Sequence, residues 1–174
     1  MHVLDAIRTR RSIRKFTPEP VSPDQIQTLL QAAMMAPSAG NAQPWQLIVI
    51  DDRSILTQIP EIHPYAAMSR EAAVGILVCG DLSREKYPGF WVQDCAAAVQ
   101  NILLAAHGLG LGAVWTGIYP DEARVARFRE RFSLPSNIVP LAFIPVGHPA
   151  QSPSAADRFD PARVHHNTWG APWK

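Results

Sequence analysis

His107-Gly108-Leu109-Gly110-Leu111-Gly112-Ala113-Val114-Trp115-Thr116-Gly117 is the run that separates two fold classes. Its glycines invite comparison with a dinucleotide-binding loop. That loop follows a strand and opens a helix. Here the order is reversed. An apolar helical stretch, from about Gly89 to His107, comes first, and a β-rich run from Ala113 to Tyr119 comes after. The glycines therefore read as a helix C-cap and tight turn, and a Rossmann sheet is excluded.

The helical stretch carries Trp91, Val92, Cys95, Ala96, Ala97, Val99, Ile102, Leu103 and Ala106 nearly all the way round. Such a helix is central, or is buried against a partner subunit. Upstream, Leu47–Ile50 and Val74–Cys79 are wholly apolar and read as buried strands, the second ended by Gly80-Asp81. Ser22-Pro23-Asp24-Gln25 forms a capping box with proline at the first helical position. Ile26, Leu29, Leu30 and Ala33 follow at helical spacing, and Pro37 stops the helix. Shorter helices are expected over His2–Thr9, with Val3, Leu4 and Ile7 inward, and over Ser54–Ile59. Downstream, Asp121 caps a helix with Val125, Phe128 and Phe132 inward and Arg124, Arg127, Arg129 and Arg131 mostly outward. Val139–Gly147 is a fourth strand, and Pro140 and Pro145 argue for an edge or a bulge there. From His148 onward four prolines break any periodicity, yet Phe159, Trp169 and Trp173 are large apolar groups. This tail lies along a surface, either a second subunit's or its own domain's.

A length of 174 residues is one domain's worth of chain. Hydrophobic residues at 47% and charged residues at 18% describe a globular core rather than a disordered chain. A formal net charge of +1 gives no bulk field to recruit nucleic acid or anionic lipid. No run approaches the roughly 18 apolar residues of a membrane span. The two cysteines, Cys79 and Cys95, sit in apolar surroundings and read as buried thiols of a reducing compartment. The expectation is a cytoplasmic protein with no nucleic-acid or membrane partner. The six histidines show no metal spacing.

Three segments could carry chemistry. In Arg8-Thr9-Arg10-Arg11-Ser12-Ile13-Arg14-Lys15-Phe16, an extended chain projects Arg10, Ser12 and Arg14 to one side. Two guanidinium forks around a hydroxyl suit a phosphate monoester; a solvated basic run is the plainer reading. Ala36-Pro37-Ser38-Ala39-Gly40-Asn41-Ala42-Gln43-Pro44-Trp45 is rich in small residues, so another group can approach its backbone. The Asn41 and Gln43 amides suit the edge of a heterocycle, though an ordinary turn also accounts for the segment. Asp94 and Cys95 lie adjacent, and a carboxylate beside a buried thiol disfavours the reactive thiolate.

Taken in order, these segments resemble the FMN-dependent nitroreductase family. The resemblance runs through Arg10–Phe16, Ala36–Trp45, Val78-Cys79-Gly80-Asp81, Gln93–Asn101, Gly110–Gly117, Arg158-Phe159-Asp160 and Val164-His165, and so covers nearly the whole chain. It implies a single α+β domain over 1–174, with a three-layer fold: a mostly antiparallel sheet flanked by helices. It implies an intertwined homodimer in which the arm from about 148 to 174 wraps the partner. Two FMN molecules then lie at the subunit boundary. By the same resemblance Arg10, Ser12 and Arg158 surround the FMN phosphate and Arg11 lies beside the ribityl chain. Arg14 faces the pyrimidine side and stabilises the charge of the reduced flavin. Pro37, Ser38 and Ala39, with Asn41 nearby, contact the flavin from the other subunit, and Trp115, Thr116 and Gly117 lie along the isoalloxazine. NADH or NADPH gives hydride to flavin N5, and an electron-poor acceptor, nitroaromatic or quinone-like, takes the electrons in a ping-pong cycle. No side chain is implied as acid or base, because the flavin carries the chemistry. The acceptor pocket is implied between about His63 and Trp91, where Tyr65, Met68, Phe90 and Trp91 could each be lining or core. The rival readings are a flavin-sequestering protein without turnover, a reductive dehalogenase or flavin-fragmenting relative, and a small RNA-binding domain.

Overall fold

The computed structural model describes residues 1–154 and 156–173. Ala155 and Lys174, both within the expected arm, lie outside the described residues. Ser22 Oγ accepts the Gln25 N–H at 3.2 Å, and Gln25 Oε1 accepts the Ser22 N–H at 2.9 Å. This capping box starts α2 (Pro23–Met34) and satisfies two donors that a helix end leaves open. Asp52 and Asp121 cap α3 (Arg53–Ile62) and α5 (Glu122–Arg131) in the same way. The first helix, α1, spans Val3–Thr9, with His2 as its cap rather than its first residue. The central helix α4 spans Trp91–Gly108.

The sheet is built from β1 (Trp45–Ile50), β2 (Val74–Asp81), β3 (Gly112–Ala113), β4 (Thr116–Gly117) and β5 (Ile138–Gly147). Its order is β1-β2-β5-β3, with β4 also on β5, and every pairing is antiparallel. All eight residues of β2 are buried. Val74, Ile76 and Val78 face a core shared with α2 and α4. Leu77 and Cys79 face the opposite core, with Leu56 and Ile59 of α3 and Phe128 of α5. Period-two alternation thus serves both faces of a covered sheet. The result is the expected α+β arrangement of helices, sheet and helices.

Three sequence expectations change. The strand at 139–147 is not an edge: β5 pairs with β2 on one side and with β3 and β4 on the other. Pro140 is accommodated by the expected bulge, where the register shifts between Val78 and Cys79. Pro145 is tolerated for another reason. Val146 O accepts the Ala73 N–H on the β2 side at 3.0 Å. Alternation then turns the Pro145 nitrogen to the opposite side, where Val114 and Trp115 interrupt the strand between β3 and β4. That interruption is the second change, because a single strand was expected over 113–119. Third, Val3, Leu4 and Ile7 of α1 are exposed, and only Ala6 of that helix is buried.

The tail leaves the domain beside the basic segment. Thr17 N–H donates to His148 O and Ala150 N–H to Lys15 O, both at 2.9 Å. Farther along it forms a small hairpin with a bridge between His165 and Pro172. Trp169 is 90% and Trp173 59% exposed.

Gly80 is the tightest test of this packing. A Cβ built on it would lie 2.3 Å from Trp91 Cε3. Gly80→Ala should lower stability by about 1–3 kcal/mol through overpacking, read as a reduced urea midpoint with an unchanged m-value.

Candidate functional site

The basic segment is held in place by its two apolar residues. Ile13 and Phe16 are buried, and Ile13 N–H donates to Ala113 O at 3.0 Å. With Ile13 inward, Ser12 and Arg14 turn to the other side. Arg10 and Arg14 do not converge on one point. Arg14 lines a cleft of about 460 Å³ together with Val114, Trp115, Thr116 and Gly117. Arg10 instead lies half-buried among cations. Burial first, then Arg158 and Arg11, pushes its pKa down from the ordinary arginine value, and it remains charged. His107, whose Nε2 lies 2.7 Å from Thr9 Oγ1, has its pKa lowered by burial and then by Arg10 and Arg11. Among the described residues no ion pair reaches Arg10, Arg14 or Arg158. Arg10 and Arg158, neighbouring cations without an ion pair among the described residues, call for an anionic ligand.

Arg11 has a different use. Its guanidinium donates to the carbonyls of Arg8 and Arg10 at 2.8 Å, Ser154 at 3.2 Å and Ala156 at 3.3 Å. It is filled by the chain itself and latches the tail near Arg10, which is how Arg158 arrives there. The same stretch of tail walls a larger hollow of about 570 Å³ with Arg8, Thr9 and Asp157. That hollow gathers none of Arg10, Ser12 or Arg14, so the cleft is the better candidate for chemistry.

The cleft also takes in residues of the stretch implied as the acceptor pocket, and one residue that was not implied. His63, Tyr65 and Met68 line it, with Arg124. Tyr65 is 73% exposed, and Trp91 is buried. Arg124 reads as a solvent-facing residue of an arginine-rich helix, but its Nη1 donates to Gly117 O at 2.6 Å and its Nη2 to Asp121 Oδ2 at 2.9 Å. It also lies 5.7 Å from the Tyr65 ring centroid. The only sequence signal for this was its spacing of three from the capping Asp121. Thr116 Oγ1 is spent on Phe143 O at 2.6 Å, so this residue offers the cleft its backbone rather than its hydroxyl.

Pro37, Ser38, Ala39 and Asn41 do not line the cleft. They form a separate, well-latched loop. Ala39 N–H donates to Asp94 Oδ1 at 2.9 Å, and Gln43 N–H to Ser38 Oγ at 3.0 Å. Lys86 Nζ donates to Gly40 O at 2.6 Å. Gly40, Asn41 and Gln43 all have positive φ, a conformation this latching must hold. The Asn41 and Gln43 amides bond each other at 2.9 Å. Asp94 is therefore a loop anchor. Burial pushes the Cys79 and Cys95 thiols up to about 12, with Asp94 a lesser cause at Cys95, so both are inert as nucleophiles.

A model of the nitroreductase family matches residues 7–69 and 62–148. The chain belongs to the nitroreductase family. A Methanothermobacter thermautotrophicus protein, provisionally named NADH dehydrogenase/NAD(P)H nitroreductase, is 55% identical over 97% of this chain and 88% of its own. A Clostridium acetobutylicum structure, provisionally named an NADH oxidase, superposes with a TM-score of 0.92 at 43% identity. It covers 95% of this chain and all of that one. A Desulfovibrio desulfuricans structure, provisionally named a nitroreductase and bound to FMN, has a TM-score of 0.79 at 39% identity, covering 91% and 92%. As members of this family the relatives are oxidoreductases, and so is this chain. Among the described residues of this nitroreductase-family chain no group of His, Cys, Asp and Glu could hold a metal ion, and no helix is long and apolar enough to cross a membrane.

His63 gives the site a pH signature. Burial first, then Arg124, holds its pKa below the ordinary 6.5. The unfolded chain therefore takes up a proton that the folded chain refuses. The contribution to stability is complete above 6.5 and is lost as pH falls towards the depressed value. Between about pH 7 and about pH 5, His63→Gln should lose less thermal stability than the parent, read from parallel Tm curves.

Proposed function

We propose that this nitroreductase-family protein is an FMN-dependent NAD(P)H oxidoreductase working by a ping-pong cycle on small electron-poor acceptors, nitroaromatic or quinone-like. The observation that carries this is the unpaired Arg10–Arg158 charge at one end of a pinned segment whose other end, Arg14, lines the cleft. Four extended residues reach about 13 Å, a span that suits a phosphate at one end and a conjugated ring at the other.

The residues present fit FMN on two counts. Two cations without carboxylate partners suit a phosphate, and a cleft with backbone walls and a half-exposed Trp115 suits a planar ring. Arg10, Ser12 and Arg158 would hold the phosphate. Arg11 contributes by fixing the arm beside the ribityl chain rather than by lending its guanidinium. Trp115, Thr116 and Gly117 would lie along the ring. Bound FMN would supply the redox chemistry, taking hydride at N5 from NADH or NADPH and passing electrons to the acceptor. Arg14, which lines the cleft, would hold a fixed positive charge beside the pyrimidine edge and favour the reduced flavin. No side chain is assigned as a catalytic acid or base, and solvent supplies protons.

The loop of Pro37, Ser38, Ala39 and Asn41 belongs to this reading as the partner subunit's half of the site. Its separation from the cleft within one chain supports that assignment. The apolar residues left exposed at the N-terminus (Met1, and Val3, Leu4 and Ile7 of α1), and Trp169 and Trp173 in the tail, are suited to burial in a homodimer with exchanged arms. The two unpaired cysteines suit a cytoplasmic setting.

The purified protein should show flavin absorption near ~450 nm that bleaches anaerobically with NADH, NADPH or both. Bands that persist with both donors would sink the NAD(P)H-dependent ping-pong reading. Arg10→Ala should weaken FMN retention by about 1.5–3 kcal/mol, the worth of a hydrogen bond to a charged group, measured by equilibrium titration. Ending the chain after Pro153 should give a monomer or aggregate without flavin. A stable yellow dimer from that truncation would overturn the exchanged arm.

A further inference from the structure

His63 is a buried polar group whose partners the fold does not supply. Its side chain is 1% exposed, yet neither Nδ1 nor Nε2 has a hydrogen-bond partner. The residue caps the C-terminus of α3, its N–H donating to Ile59 O at 2.9 Å, so its backbone position is fixed. Its ring walls the cleft beside Arg14 and Thr116. The backbone of Thr116 and Gly117 passes close enough to favour the protonated ring slightly. Neither residue meets hydrogen-bond geometry with it, and Gly117 O already accepts from Arg124. Tyr65 and Phe128 stand edge-on to it at 6.3 and 6.1 Å between ring centroids. A buried donor and a buried acceptor left open both cost free energy, and an apolar ring of similar size would cost nothing. Retention of the imidazole at a cleft wall is accounted for when something bound in the cleft completes it.

We propose that His63 is a ligand-contacting residue of the cleft, whose imidazole N–H donates a hydrogen bond to an oxygen on the edge of a planar conjugated ring bound there. The assignment rests on the flavin-oxidoreductase reading of the cleft. A neutral imidazole offers one donor and one acceptor, which complements a ring edge bearing a carbonyl or nitro oxygen. That oxygen has two sources: the pyrimidine edge of FMN, or the acceptor that enters afterwards. In either case the oxygen gains negative charge as electrons arrive, and the bond strengthens at that moment. Arg14 is the fixed charge of the site. His63 is a neutral donor, and its recognition is directional rather than Coulombic. Tyr65, largely exposed and edge-on to His63, borders the same cleft.

The test compares the parent protein, His63→Phe and His63→Gln by FMN titration, steady-state kinetics with benzoquinone, and Tm of the ligand-free proteins. His63→Phe should raise the ligand-free Tm, because two open polar atoms disappear. It should also weaken one ligand about tenfold, the scale of a single lost hydrogen bond. A weaker FMN Kd with a shifted flavin spectrum identifies the cofactor as the partner. An unchanged FMN Kd with a raised KM for benzoquinone identifies the acceptor. His63→Gln should restore most of either loss, because it keeps a donor. His63→Phe with unchanged Kd and KM overturns the assignment. So does a fall in ligand-free Tm, because the nitrogens would then be satisfied within the fold. A parent protein that takes up no FMN would defeat the flavin reading instead, and the ligand-free Tm comparison would still judge His63.

Discussion

Ile13 sits so close over Gly112 that a Cβ there would lie 2.5 Å from Ile13 Cγ2, and Phe16 covers Gly147 in the same manner, with a contact of 3.0 Å. These two seats pin a charged segment against the end of the sheet, with one backbone bond to Ala113 and an isolated bridge from Phe16 to Pro149. Nine residues, Arg8 to Phe16, five of them cationic, would otherwise prefer water. Burying two apolar side chains, at roughly 1.5–3 kcal/mol each, fixes the path of the backbone between them. Everything polar in the region depends on that path. It points Arg14 into the cleft, holds Ser12 between the two ends, and presents Lys15 and Thr17 for pairing with the start of the tail. Gly112 and Gly147 belong to strands at one end of the sheet, so the sheet and the cationic segment share one foundation.

Arginine is used here in two distinct ways. Arg11 and Arg124 are structural clamps whose forks close on carbonyls: the tail in one case, Gly117 in the other. Arg10, Arg14 and Arg158 carry charge that no ion pair among the described residues neutralises. A guanidinium satisfied by carbonyls keeps its charge but loses its donors, so it positions other groups rather than recruiting a ligand. The division explains how a segment with so many basic residues can be specific rather than merely sticky.

Much of this was legible in the sequence, and the parts that were not have physical reasons. The capping box at Ser22, the buried strands and the reversed glycine order depend on short-range rules, and those rules sufficed. The path of β5 did not follow, because the rule about proline assumes that both sides of a strand are evenly paired. At Pro145 one side faces a gap. The inward assignment of Val3, Leu4 and Ile7 failed because amphipathicity tells which face is apolar, not what covers it. Alternation alone put Arg10, Ser12 and Arg14 on one phosphate; the resemblance separated Arg14 from the other two, and the path between them depends on where Arg158 and β4 lie. The resemblance placed His63 at the start of the implied pocket stretch, but its open ring nitrogens left no local trace, since an isolated histidine at a helix end usually has a partner. Arg124 was hidden among helical arginines that do face water.

The tail is held near Arg10 through the carbonyls of Ser154 and Ala156 rather than through their side chains. A clamp that reads backbone is blind to residue identity. Neutral drift can therefore replace those two side chains freely without loosening the attachment. The number of residues between Gln151 and Arg158 is what must stay constant, because each added or deleted residue would slide the chain by about 3.3 Å and carry Arg158 away from its place. The clamp thus acts as a ruler: it sets the length of the tail and leaves its wording open.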